Sequence, residues 1–145
     1  MTGKQKKIEI HQTAVLKPDG SRIRKPLVPA VEKAEDVARR AFRFSEEIMQ
    51  LVNTLSVVPS NVEVVRPLTR SATSIGVNFL EATQIKTKKD YVARMKICRK
   101  EAKESAYWLN LLESLSDETR QKKEQLIQES IKLLKNFDSL AQRPK

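Results

Sequence analysis

The chain has 145 residues, 28 Lys and Arg against 18 Asp and Glu, a formal net charge of +10, and 39% hydrophobic content. That length suits one folded unit with one core, since single domains commonly run to about 100–200 residues. Three glycines and 5% aromatics argue against a turn-rich β domain, and 32% charged residues mixed with Leu, Ala and Gln match a helical bundle.

No run of about 18 apolar residues is available to span a membrane. The opening MTGKQKKIEIHQ has no apolar segment of the kind a secretory signal needs. Cys98 is the only cysteine and fits a reducing compartment, so a cytoplasmic protein is expected. The basic excess favours phosphate partners through counterion release, although basic surfaces also occur on proteins that never meet nucleic acid.

Residues 1–30 read as a basic arm, with seven basic residues against Glu9 and Asp19. KPDGS, Lys17 to Ser21, has the order of a tight turn. IEIHQTAVL and RIRKPLV on either side of it could pair as a hairpin. The alternative is a disordered arm, because an isolated hairpin is marginal in water.

Residues 31–145 read as a bundle. Val37, Ala41, Phe44, Ile48, Val52 and Leu55 recur at three- and four-residue steps and form one stripe of a first helix. It ends before VVPSN, because Pro59 disfavours helix in the residue ahead of it. A second helix carries Leu68, Ala72, Ile75, Phe79 and Ala82, and it either starts or bends at Pro67.

Within that helix, RSATSIGVNFLEA (70–82) holds small polar residues of low helix propensity. Ser71, Ser74, Asn78 and Glu81 make a strip beside the apolar face. With Gly76 nearby, such a strip lets a neighbouring backbone come close. Arg94, Glu101 and Glu104 of the next helix would supply partners, with Asn78 and Glu81 partly buried. The strip reads as a polar register device.

Thr87 can cap a third helix, with Asp90 in an imperfect capping box. That helix is predicted from about Lys88 to Leu115, its stripe being Tyr91, Met95, Cys98, Ala102, Ser105, Leu109 and Leu112. Ser116-Asp117 separates it from a fourth helix bearing Leu126, Ile127, Ser130, Ile131, Leu134, Phe137 and Ala141. Four amphipathic helices with short connections predict an all-α, antiparallel up-and-down four-helix bundle.

Nothing predicts catalysis, a cofactor or a metal. The only histidine, His11, lies in the arm, and the Glu-x-x-His pairs of di-iron bundles are absent. Cys98 falls on the apolar face of the third helix and reads as core. No glycine-rich phosphate loop occurs.

The third helix carries a denser signal. Between Lys86 and Lys103 stand eight basic residues (Lys86, Lys88, Lys89, Arg94, Lys96, Arg99, Lys100 and Lys103) against Asp90 and Glu101. Lys89, Lys96, Lys100 and Lys103 share one side, with Arg99 at its margin, opposite the core stripe. This is either a nucleic-acid-binding ridge or an ordinary solvated face. Several copies would concentrate the potential. Arg22, Arg24 and Lys25 of the arm would add reach. A second apolar strip of Ile97, Trp108, Leu111 and Leu115 suggests burial against another protomer, with Tyr107-Trp108 as anchors. The alternative is that Trp108 widens the private core.

RSATSIGVNFLEA, a short basic turn and KKDYVARMKICRKEAKESAYWLNLL together resemble the four-helix family of 23S rRNA-intervening-sequence proteins. The resemblance rests on Arg70-Ser71, Ser74-Ile75, Asn78, Glu81-Ala82, Tyr91, Glu101, Glu104 and Trp108-Leu109, and covers about residues 35–140. It implies an antiparallel four-helix bundle that assembles as a homopentamer with a central opening. It also points to a related group, the accessory variability determinants of diversity-generating retroelements, which bind nucleic acid and a reverse transcriptase through a basic surface. The sequence therefore predicts a non-enzymatic oligomer that binds structured RNA or DNA. A protein-interaction scaffold without nucleic-acid binding is the alternative.

Overall fold

The computed structural model describes residues 28–142 apart from Ser56 and Ser114, with side chains from Lys33 onward. The basic arm, with Arg22, Arg24 and Lys25, lies outside the described residues apart from the backbone of 28–30. Four helices follow one another: α1 (Val28–Thr54), α2 (Pro59–Thr83), α3 (Lys88–Asn110) and α4 (Asp117–Ala141). No strand occurs among the described residues.

Connections of a few residues force successive helices to run antiparallel. Each helix packs on its neighbours in the order α1, α2, α3, α4 and back to α1, and diagonal helices make no backbone approach. The all-α four-helix bundle is thus the observed fold.

Local chemistry sets the boundaries. Pro59 stands at the start of α2, where its missing N–H needs no partner. Thr87 caps α3 by accepting the Asp90 N–H, while its own hydroxyl donates to the Asp90 carboxylate. Ser116 caps α4 by accepting the Thr119 N–H at 3.2 Å, and Asp117 and Glu118 follow in the first turn, where negative charge complements the helix dipole.

The core is one cluster drawn from all four helices. Phe44, Phe79 and Phe137 are its largest fully buried side chains, and the rings of Phe79 and Phe137 meet at 5.9 Å. Each such buried side chain contributes about 1.5–3 kcal/mol through removal from water.

Three sequence expectations change. Helix α2 starts at Pro59, not Pro67, and continues through Pro67. The N–H that Pro67 lacks would have gone to Glu63, a solvent-facing residue. Helix α3 stops at Asn110 rather than Leu115, and Leu112 reaches the core from the following turn. The buried face of α4 includes Leu133 and Leu140, whereas Ile131 is 38% exposed.

Candidate nucleic-acid interface

Helix α3 packs between α2 and α4, so its remaining side faces solvent. The inward side carries Met95, Cys98, Ala102, Ser105 and Leu109, all buried. Lys89, Lys96 and Lys103 recur at seven-residue steps on the outward side and span about 21 Å along the axis. Lys86, Lys88, Lys89, Lys96, Arg99, Lys100 and Lys103 are all exposed.

Ion pairing divides these seven cations. Arg99 pairs with Asp138 of α4 at 3.1 Å, and Lys100 with Glu104 at 3.6 Å. Lys86, Lys88, Lys89, Lys96 and Lys103 make no ion pair with another described residue. Lys88, Lys89 and Lys96 border a shallow depression floored by Val92 and Ala93. The first turn of α3 also places Lys88 and Lys89 at the positive end of the helix dipole, with Asp90 alone to offset them. Helix stability does not account for that placement.

A larger open groove lies between α1 and α4, and it has no preference for anions. Its lining includes Asp36, Glu47, Glu124 and Glu129 against Arg40, Arg43 and Lys132. Arg40 and Glu129 pair across it at 2.8 Å, and Lys122 and Glu47 at 2.7 Å.

The α2–α3 seam holds the polar strip. Arg94 donates to Asn78 Oδ1 at 2.8 Å and pairs with Glu81 at 2.8 Å. The Asn78 amide then donates to the Ser74 carbonyl and hydroxyl. Ser71 meets Ser105 of α3 directly. Glu81 lies at the surface rather than partly buried. Glu101 and Glu104 do not join this network: Glu104 turns to Lys100, and Glu101 Oε2 is buried with no hydrogen-bond partner among the described residues. Burial, and then the Glu104 carboxylate, push the Glu101 pKa up. Gly76 does not provide a close approach either, since a Cβ built there would meet nothing within 4 Å.

Cys98 is fully buried, and its thiol donates to the Ile75 carbonyl at 3.7 Å. Burial pushes the thiol up to about 12, so it is not a nucleophile in the folded chain.

The proposed contact strip on α3 is interrupted. Trp108 and Leu115 pack against the core, and Leu111 and Leu115 lie beyond the helix end. Ile97 and Leu111 remain 37% and 42% exposed. More exposed apolar side chains stand on α1 (Phe42, Met49) and α2 (Val62, Val77, Leu80), a feature that periodicity did not single out. Asn61 was missed as well. Buried at the start of α2, it donates to the Glu113 carbonyl at 2.9 Å and accepts the Glu113 N–H at 3.0 Å. The only signal for it was its place just after Pro59 and Ser60, the residues that open α2.

These features define an antiparallel four-helix bundle with one strongly basic helix face. Residues 33–139 match the family model of the 23S rRNA-intervening sequence protein, and the chain belongs to that family. A solved structure from Bacteroides thetaiotaomicron, described as a protein of unknown function from the S23 ribosomal protein family, is similar. It shares 29% identity with a TM-score of 0.67, over 77% of this chain and 99% of that one. No curated protein matches the chain. The family name ties the fold to intervening sequences of 23S rRNA. No helix among the described residues is long and apolar enough to cross a membrane.

Proposed function

We propose that this chain is a non-enzymatic, cytoplasmic bundle that binds structured RNA or DNA through the outer face of α3. The observation that carries the reading is the set of five exposed cations, Lys86, Lys88, Lys89, Lys96 and Lys103, left without ion pairs to other described residues. A row of ammonium groups contacts phosphates and reads little sequence. In a homopentamer, as the family resemblance implies, five such faces would concentrate the potential. An accessory role beside a reverse transcriptase of a diversity-generating retroelement would fit that arrangement, with Arg22, Arg24 and Lys25 extending the contact.

The test is fluorescence anisotropy of labelled structured RNA and duplex DNA over a salt series. Five phosphate contacts give a slope of log affinity against log salt of about −4.5 on duplex DNA. The variant K96E/K100E/K103E should bind far more weakly at unchanged helicity by circular dichroism. Unchanged affinity in that variant sinks the ridge.

A protein-interaction scaffold is the second reading, and the exposed Phe42 and Met49, at 63% and 45%, favour it. They are seven residues apart and so share a face of α1. Absence of nucleic-acid binding at low salt would turn the choice to this reading.

A further inference from the structure

The lysine row of α3 ends at an exposed aromatic ring. Tyr107 follows Lys103 by four residues and Lys100 by seven, so all three lie on the same side of the helix. Tyr107 is 59% exposed. Its ring sits edge-to-face on Trp108, with centroids 5.1 Å apart, and Trp108 in turn packs against the core. The tyrosine is therefore braced from one side and open on the rest. Glu104, its acidic neighbour one turn back, is held by Lys100. Phe42, the other strongly exposed aromatic residue, lacks this setting: its helical neighbours are Ala38, Arg39, Ser45 and Glu46, of balanced charge.

We infer that Tyr107 is a stacking platform for an unpaired nucleobase, with Lys96 and Lys103, both free of ion pairs to other described residues, holding the phosphates of the same strand. This rests on the nucleic-acid reading above and narrows it to ligands with unpaired bases. An aromatic face beside a cationic groove accepts any base, because every base has a π surface. A duplex keeps its base faces stacked inside, whereas loops, bulges and single strands expose them. Bracing by Trp108 reduces the freedom the ring would lose on stacking.

The test compares wild type, Tyr107→Ala and Tyr107→Phe as full chains on two labelled RNAs of equal length. One is fully paired, and the other carries a single-stranded loop; the DNA counterparts show whether the sugar matters. Tyr107→Ala should weaken loop binding about tenfold, the scale of one lost stacking contact. Duplex binding and the salt slope should not change, and Tyr107→Phe should bind like wild type. Trp108 is the only tryptophan in the chain. Its fluorescence should therefore shift on adding the loop RNA and stay constant with a loop made abasic.

Equal affinities of wild type and Tyr107→Ala for the loop would overturn the platform while leaving the lysine row in place. A change in molecular mass on Tyr107→Ala would also overturn it, by making the ring a contact between copies. Failure of the wild type to bind either RNA at low salt would sink both the platform and the proposed function.

Discussion

The hydroxyls of Ser71 and Ser105 meet 2.9 Å apart, and neither residue is exposed to solvent. The Ser71 hydroxyl also lies 3.1 Å from the Leu68 carbonyl and the Ser105 hydroxyl 2.9 Å from the Glu101 carbonyl. With one proton on each hydroxyl, one serine donates to the other while the second donates to its own helix carbonyl, so both hydroxyls keep a partner inside the seam. Ser71 in the middle of α2 thus lets α2 and α3 close together while both serine hydroxyls keep a partner.

Enlarging that contact should be costly. Ser71→Leu should destabilise the fold by about 1–3 kcal/mol through overpacking. Ser71→Ala should lose about 1 kcal/mol, the typical net worth of a hydrogen bond. Urea denaturation of both variants checks this, and equal stability for Leu and Ala would mean that the helices do not approach so closely.

Asn61 joins the start of α2 to the backbone between α3 and α4. Asn61→Ala removes one donor and one acceptor, and with them both hydrogen bonds that tie buried Asn61 to the N–H and carbonyl of Glu113, an exposed residue. Each lost hydrogen bond is worth about 1 kcal/mol net, so two of them give a midpoint shift larger than that of Ser71→Ala. Hydrogen exchange at the Glu113 amide should rise in the same variant. An unchanged exchange rate would contradict the bond.

Glu101 gives stability a pH dependence. Its folded pKa is raised by burial above the ordinary carboxylate value, so the folded chain binds the proton more tightly than the unfolded one. The resulting contribution is full below the unfolded pKa and is lost as pH rises through the raised folded value. Glu101→Gln removes the charge penalty. Its melting temperature should exceed wild type by more at pH 7.5 than at pH 4. A gap that is constant across that range would mean that Glu101 is solvated.

Gly76 sits within α2, where a methyl group would meet nothing. Gly76→Ala should therefore stabilise an isolated chain by up to about 1 kcal/mol through helix propensity. Thermal melts combined with light scattering test this. Destabilisation together with a smaller molecular mass would instead show that another copy packs against that site.

Apolar spacing alone determined that α1 to α4 exist, and Thr87 and Ser116 marked where α3 and α4 begin. The start of α2 at Pro59 was not legible, because the apolar stripe read there opens only at Leu68. The inward faces of α1 and α3 were legible for the same reason: residues three and four apart share a helix side. Where α3 ends was not legible, because Leu111, Leu112 and Leu115 continue its spacing with no Gly or Pro to stop it. A contact from another helix decided it, since the Glu113 N–H that a longer helix would give to Leu109 goes to Asn61. The choice of Leu133 over Ile131 on α4 likewise depended on where α1 and α3 stand around it. The seven cations of the basic face could be counted in the sequence. Only tertiary structure decided which were free, because Arg99 is neutralised by Asp138, a residue 39 positions away that folding brings to 3.1 Å.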